Sequence, residues 1–105
     1  METVFAAVAD PTRRLLLERL RASGSVGASI TDLSTGLPIT RQAVTKHLDL
    51  LHAAGLVSYR KQGRERLHEL NAAPLKELDD WLKPYEQFWD DRLARLQRHL
   101  EENPE

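Results

Sequence analysis

The apolar periodicity changes at Gly55, and this change limits the folds that the chain can adopt. The segment before Gly55 places apolar residues three and four apart, which is the spacing of a helix with one buried face. These residues are Val44, Leu48 and Leu51, with Leu50 broadening the stripe. The segment after it, LVSYRKQGRERLHEL, is rich in strand-forming residues around a central Gln-Gly pair and predicts a β-hairpin. We therefore expect a helix that leads directly into a hairpin.

Capping signals divide the N-terminal half of the chain into four helices. A short helix over residues 3–8 precedes a second, over residues 10–22, which an Asp-Pro pair starts. A third, short helix is expected to begin at Thr31 as its cap and to close in the turn GLP. The fourth begins at Thr40 and ends just before Gly55, since glycine suits the left-handed backbone that often follows a helix. The last two helices are thus joined by a tight turn.

The C-terminal part of the chain carries a seam of apolar residues from Pro74 onward. They fall at positions 75, 78, 82, 85, 89, 93, 96 and 100. Spacings of three and four predict a long amphipathic helix with a near-heptad seam. Proline removes a helical hydrogen bond and clashes with the preceding turn, so we expect a kink or a break near Lys83, with the helix restarting at Pro84.

The first and last helices offer apolar faces to a partner. A chain of 105 residues buries only part of its apolar surface, so an oligomer is expected. The aromatic residues at 81, 85, 88 and 89 could instead line a small-molecule pocket, although aromatics at helical spacing more often belong to a core or an interface. We predict a homodimer whose interface contains Val4, Phe5, Val8, Leu78, Leu82, Tyr85, Trp89, Leu93 and Leu96.

Positive charge is concentrated in the middle of a chain whose net charge is −1. Residues 1–39 hold four basic and four acidic side chains, residues 40–68 hold six and two, and residues 69–105 hold five and ten. This separation favours a polyanion on one surface only. The chain has no Cys, no apolar run long enough to span a membrane and no signal pattern at its N-terminus. We therefore expect a cytoplasmic protein without membrane contact.

A helix, a tight turn, a capped helix and a basic hairpin, in this order, predict a mainly α winged helix-turn-helix fold. We expect about five helices and a two-stranded wing in a single domain over residues 1–105. The second helix of such a motif enters the major groove, where Arg can bind guanine, Gln can pair with adenine and Thr can contact thymine. We predict DNA contacts by Thr40, Arg41, Gln42, Thr45, Lys46, His47, Arg60, Lys61, Arg64 and Arg66.

Each of these assignments has a plainer alternative. The polar face of the helix could be a solvated surface, although the turn, the cap and the hairpin together favour DNA binding. His47 lies beside the apolar stripe and could be a packed histidine, and the basic hairpin residues could protect a sheet edge from aggregation. For the whole chain, a protein-interaction module on the same scaffold is the alternative. An enzyme is disfavoured because Cys, a nucleophile elbow and a metal motif are all missing from the sequence.

The chain resembles the ArsR/SmtB family of bacterial transcriptional repressors over essentially its whole length. The resemblance is carried by VADPTRRLLLERL, by ITDLSTGLPITRQAVTKHLDLLHAAGLVSYRKQGRERLHEL and by the helix that follows. The family's motif of Ser or Thr, a polar pair, then Val, Ser, His and Leu is matched between Thr40 and Leu48, and GLVSYRKQGR resembles its wing. The resemblance implies a homodimer on an operator of two half-sites, with DNA contacts from Arg41, Gln42, Thr45, Lys46 and Arg64.

Many members of that family sense metals, and this chain departs from them. The stretch that matches their thiolate motif reads DLSTGL and has no sulfur ligand. The positions that match their second metal site are Ala72, Pro74, Tyr85 and Phe88, none of which is a plausible transition-metal ligand. The C-terminal WLKPYEQFWDDRLARL resembles instead a metal-free branch of the family. We therefore expect no metal and no cofactor, and an effector, small molecule or protein, that the sequence does not name.

Overall fold

The computed structural model of the protein describes residues 2–102. Within this range the chain forms five α-helices and one antiparallel hairpin, so the predicted mainly α winged helix-turn-helix fold is confirmed. The elements are α1 (Glu2–Val8), α2 (Pro11–Ser23), α3 (Ile30–Ser34), α4 (Arg41–Ala53), β1 (Val57–Gln62), β2 (Glu65–Leu70) and α5 (Lys76–Glu102), with 3₁₀ turns at Gly24–Val26 and Ala73–Leu75.

The predicted starts of α2 and α4 are confirmed by their caps. The Asp10 carboxylate accepts hydrogen bonds from the backbone N–H groups of Thr12, at 2.8 Å, and Arg13, at 3.1 Å. The bond from Arg13 is the main reason that the pKa of Asp10 lies below its usual value. At the start of α4, the Thr40 hydroxyl accepts a hydrogen bond from the N–H of Ala43 at 3.1 Å. Both helices therefore begin where the sequence indicates.

The predicted cap of α3, Thr31, is wrong, because Ser29 caps this helix. The Ser29 hydroxyl accepts from the N–H of Asp32, and the Asp32 carboxylate accepts from the N–H of Ser29, both at 3.1 Å. This reciprocal pair is a capping box, and its Ser-x-x-Asp spacing is visible in the sequence. As a result α3 starts at Ile30, and Thr31 lies in its first turn, close to α4.

The hydrophobic core forms where α4 packs against the other helices of the body. Val44, Leu48 and Leu51 are at most 3% exposed, which confirms the predicted stripe. They are joined by Leu16, Leu20, Leu33 and Leu56. Leu50 is instead 52% exposed, so the expectation that it broadens the stripe is wrong. A helix turns by about 100° per residue, and Leu50 therefore points about 100° away from even its nearest neighbour in the stripe.

The hairpin is the two-stranded wing that the sequence predicts. Gln62 pairs with Glu65, so Gly63 and Arg64 form a two-residue turn, one residue later than the predicted centre. Gly63 has a φ of 63°, in the left-handed region that glycine adopts without strain. At the other end of the hairpin, β2 forms an isolated bridge to Ala28, with N–H···O bonds of 2.9 and 2.8 Å. This bridge ties the base of the wing to the helical body.

Of the predicted kink or break near Lys83, the break is wrong, because α5 is continuous over its 27 residues. Pro84 has no N–H to donate and leaves the carbonyl of Asp80 without its usual helical partner. Side-chain ion pairs span the turns before it: Asp79 lies 3.0 Å from the Lys76 ammonium and 3.1 Å from that of Lys83. These ammonium groups, Lys76 first, lower the pKa of Asp79. The helix continues after the proline without interruption.

α1 and the first turns of α5 pack against each other on the body. Trp81 meets Phe5 edge to face, with ring centroids 5.8 Å apart, and Leu78 packs against the core. Val8 also packs partly against the core. Val4 is only 4% exposed and lies within the core of its own chain. This corrects the expectation for Val4, because a buried side chain has almost no surface left for a partner.

The remainder of α5 extends beyond these contacts. Its apolar side chains are about half exposed, from 47% for Tyr85 and Trp89 to 63% for Leu93. Leu96 continues this row on a helix whose other positions are largely charged. Across residues 2–102, no helix combines the length and the apolar character needed to cross a bilayer. α5 carries more exposed large apolar side chains than any other described helix.

Candidate nucleic-acid interface

The first turns of α4 present polar side chains to solvent. Arg41, Gln42 and Lys46 are exposed, while the buried stripe on the opposite side anchors the helix. Thr45 is half-buried, and its hydroxyl donates to the carbonyl of Arg41 at 3.0 Å. Thr45 therefore has its methyl group and its hydroxyl lone pairs to offer to a base. The hydroxyl of Thr40 is already engaged as the cap of the helix.

An open groove of about 530 Å³ lies between α3, the first turns of α4 and the wing. Three guanidinium groups and one carboxylate, that of Glu65, line it, so its charge suits a polyanion. Five of the predicted DNA contacts meet in this groove: Arg41, Gln42, Thr45, Arg64 and Arg66. α3 completes the lining with Ser29, Ile30 and Thr31.

α3 adds a contact to Arg41 that the sequence analysis missed. The Arg41 guanidinium donates a hydrogen bond to the hydroxyl of Thr31. Because a guanidinium carries five N–H groups, this bond directs the side chain and still leaves donors for a base. The signal that could have located Thr31 is the Ser29 capping box, which places Thr31 in the first turn of α3.

The wing divides its basic residues between two faces. Side chains alternate along a strand, and the register pairs Tyr59 with His68 and Lys61 with Arg66. These four side chains share one face, which is turned toward α4, because the Tyr59 ring contacts the last turn of that helix. Arg64 lies in the turn at the tip. Lys61, Arg64 and Arg66 are all exposed on this side or at this end of the wing.

Arg60 lies on the opposite face of the wing, apart from the other basic residues of the hairpin. Its guanidinium donates to the carboxylate of Glu69 and, at 3.0 Å, to the carbonyl of Val26. The bond to Glu69 lies within the wing, and the bond to Val26 ties the side chain to the loop that precedes α3. We therefore reassign Arg60 to a structural role, joining the wing to that loop. Because side chains alternate along β1, Arg60 and Lys61 point to opposite faces of the wing.

His47 is also turned away from the groove, as the packed alternative for this residue requires. Its ring is half-buried, and its Nδ1 lies 3.3 Å from Nη1 of Arg13. Since a guanidinium can only donate, Nδ1 is the acceptor in this hydrogen bond. Arg13 also donates to the carbonyls of Ala7, at 2.7 Å, and Ala6, at 3.1 Å. His47 thus links α4 to the helices behind it.

His68 is a buried polar residue at the base of the wing. Its side chain is 5% exposed, and its Nδ1 lies 3.1 Å from the carbonyl oxygen of Ala28. Burial is the main cause that lowers the pKa of His68, and the nearby Arg66 adds to it. The ring therefore favours its neutral form, with Nδ1–H donating to the carbonyl.

The described residues offer no metal centre: between positions 2 and 102, no group of three or more His, Cys, Asp or Glu side chains is arranged to hold an ion. Ala72, Pro74, Tyr85 and Phe88, which match the second metal site of the family, present no ligand of that kind. The chemistry that the groove supports is hydrogen bonding and charge pairing with a polyanion.

Known proteins are similar to this chain in sequence and in fold. Residues 8–60 match the family described as "Helix-turn-helix domain". The chain is 36% identical to the HTH-type transcriptional regulator Rv2034 of Mycobacterium tuberculosis, over 89% of this chain and 81% of the relative. It is 30% identical to the transcriptional repressor SdpR of Bacillus subtilis, over 78% of this chain and 88% of the relative. The solved structure of an ArsR-like transcriptional regulator from Rhodococcus sp. RHA1 is similar with a TM-score of 0.65 at 39% identity, covering 92% of this chain and 89% of that one.

Proposed function

This chain belongs to the ArsR family of winged helix-turn-helix transcriptional regulators, and on that premise we propose that it represses transcription as a homodimer bound to a palindromic operator. The family and the fold are those of DNA-binding regulators and not of enzymes. The chain is accordingly a DNA-binding transcriptional repressor.

The observation that carries the proposed mode of binding is the groove shared by α4 and the wing. Arg41 and Gln42 stand at the exposed start of α4, where a fork of donors reaches guanine and an amide pairs with adenine. Lys46 lies one turn further along the exposed face and suits a phosphate. Arg64 at the wing tip and Arg66 beside it add positive charge for the backbone of the same duplex. In this arrangement α4 contacts the bases, and the wing fixes the position of the protein along the duplex.

The proposed dimer rests on the apolar surface that α1 and α5 leave exposed. Phe5 and Trp81 join these two helices at the body, and Tyr85, Trp89 and Leu93 continue the surface along α5. Half-exposed aromatic and leucine side chains in a row are costly in water and are typical of a dimer interface. A second copy placed on this surface by a two-fold axis covers the same residues on both chains.

The two-fold symmetry of the proposed dimer determines the arrangement of half-sites in the operator. Two α4 helices that lie about 34 Å apart enter successive major grooves on one side of the duplex, so the half-sites form an inverted repeat. The interface thereby sets the spacing that the operator must have. We propose that one such operator lies upstream of the gene itself, and that an effector releases DNA by favouring another separation of the two helices.

The experiment that tests this function is fluorescence anisotropy with a labelled duplex from the upstream region and a scrambled duplex of the same composition, each over a series of salt concentrations. Sedimentation equilibrium on the same preparation gives the mass of the free and the bound species. We expect a dimer that prefers the upstream duplex and loses affinity steeply with salt. Equal and weak binding to both duplexes would overturn the proposed autoregulation, and a monomer on DNA would overturn the proposed stoichiometry.

A further inference from the structure

Tyr59 occupies the junction between the wing and the end of α4. Its ring centroid lies 5.2 Å from that of His52, in the last turn of α4, and 5.9 Å from that of His68 on the opposite strand. On the outer side, the guanidinium carbon of Arg66 lies 4.7 Å from the Tyr59 centroid. The ring is nevertheless 43% exposed, so it is not a core residue. A large aromatic side chain in this position connects the wing to α4.

The contact between Arg66 and Tyr59 is a cation–π interaction. A guanidinium over the face of an aromatic ring is attracted by the negative face of that ring, and it loses part of its rotational freedom. The contact uses the flat side of the guanidinium and leaves the N–H groups at its edge free to donate. A phosphate is bound by those edge groups, often in pairs. The stacked arginine is therefore already arranged for an anion.

The direction of Arg66 follows from the register of the wing. Arg66 pairs with Lys61 on the face toward α4, and it lines the groove together with Arg41 and Gln42. Arg60, one residue from Tyr59, faces the other way and is held by Glu69 and Val26. Two arginines on the same hairpin thus differ in what restrains them, an aromatic ring in one case and an ion pair in the other.

We propose that Tyr59 is the positioning residue of the wing, holding the Arg66 guanidinium in place for a DNA phosphate. This inference rests on the DNA-binding function proposed above and assigns a residue that the sequence analysis left without a role. Tyr59 itself needs no contact with DNA. Its effect on binding passes through Arg66.

The test is a double-mutant cycle in DNA affinity, measured on a labelled duplex of mixed sequence so that no operator need be known. The variants are Tyr59→Leu, Arg66→Ala and the two combined, with Arg60→Ala as the matched control on the opposite face. We expect Tyr59→Leu to weaken binding roughly two- to fivefold and to lower the salt slope by up to about one unit, as Arg66→Ala does. The combined variant should bind no more weakly than Arg66→Ala, and Arg60→Ala should leave the slope unchanged.

A second series keeps the size of the ring and changes only its charge distribution. Tyr59→Phe should retain wild-type binding, because its ring keeps a negative face. Pentafluorophenylalanine at position 59 fills the same space with the ring polarity reversed, and it should weaken binding as Tyr59→Leu does. This series needs no variant that leaves a cavity, so it remains decisive if Tyr59→Leu fails to fold.

Two results would overturn the proposal while the wild type still binds DNA. One is a loss from Tyr59→Leu that is equally large in the Arg66→Ala background. The other is wild-type binding with the fluorinated ring at position 59. A wild-type protein that binds neither the mixed-sequence nor the upstream duplex would refute the DNA-binding function itself, which is a different outcome.

Discussion

The guanidinium of Arg13 and the imidazole of His47 meet at 3.3 Å, between Nη1 and Nδ1, across the interface of α2 and α4. The same guanidinium donates to the carbonyls of Ala6 and Ala7 at the end of α1. One side chain therefore joins the first helix of the proposed dimer interface to the helix that we expect to read DNA. Arg14, its neighbour, donates to the carbonyls of Val8, at the end of α1, and of Ala9. Between positions 2 and 102 it shows no such bond to α4.

Arg13→Ala should lower both stability and DNA affinity. Hydrogen bonds from a charged group contribute about 1.5–3 kcal/mol, so the free energy of unfolding in urea should fall by an amount in that range. DNA binding should weaken at temperatures where the variant is fully folded, because α4 loses its link to α1. Arg14→Ala is the matched control and should leave DNA affinity unchanged. Similar losses of affinity in the two variants would contradict the link through His47.

Gln42→Ala should reduce the preference for particular bases. If the Gln42 amide pairs with a base edge, its removal costs about 1–3 kcal/mol at one operator position and little on other sequences. Competition binding against a set of single-base operator variants measures this. Gln97→Ala, on the surface of α5 beside Glu101, removes an amide far from the groove and serves as the control. An equal loss of affinity on every duplex would show that Gln42 contacts the DNA backbone and not a base.

Arg64→Ala should weaken binding to all sequences. A phosphate contact releases counterions, so the loss of one should reduce the slope of log affinity against log salt by about one unit. The measurement is anisotropy on operator and scrambled duplexes over a salt series. Arg60→Ala removes the same charge from the other face of the wing and should keep the wild-type slope. If Arg60→Ala lowers the slope as much as Arg64→Ala, the division of the wing into two faces is wrong.

Stability should fall as the pH decreases below neutrality, and His68 should be one cause. Burial lowers the pKa of His68 below its usual 6.5, so below pH 6.5 the unfolded chain takes up a proton that the folded chain resists. The free energy of unfolding therefore declines with falling pH until the pH passes the lowered pKa. The carboxylate of Asp10 has its own lowered pKa and contributes only at more acid pH, near and below 3.8.

His68→Asn provides the comparison for that pH dependence. An Asn amide can donate to the carbonyl of Ala28 as Nδ1–H does, but it does not titrate. Urea unfolding at about pH 7 and about pH 5, within the window set by histidine titration, should give a smaller decline for His68→Asn than for the wild type. An equal decline would show that His68 does not set the pH dependence in this window.

The parts of the fold that could be predicted from the sequence depend on local signals. The cap at Thr40, the stripe through Leu48 and the hairpin after Gly55 each rest on residues within one turn or one strand pair. The cap at Ser29 rests on a signal of the same kind, which the choice of Thr31 overlooked. These features needed no knowledge of the neighbouring elements.

The remaining features depend on contacts between distant segments. Arg13 and His47 are 34 positions apart, and nothing local indicates that one faces the other. Whether Leu50 is buried depends on which helix lies opposite it, and the burial of Val4 depends on the packing of α1 onto the core. The split between Arg60 and Arg66 follows from alternation only once the register of the hairpin is known.

Because α5 is continuous through Pro84, its C-terminal segment moves as one rigid piece when the helix bends at the proline. Residues 85–102 form a rod of about 27 Å at 1.5 Å per residue, and Pro84, where one ladder hydrogen bond is absent, is its most compliant point. Each degree of bending there displaces the far end by about 0.5 Å. If two chains contact each other along these segments, a small change of angle at Pro84 produces a larger change in the relative position of the two α4 helices. The operator has half-sites at a fixed spacing, so its binding depends on that position.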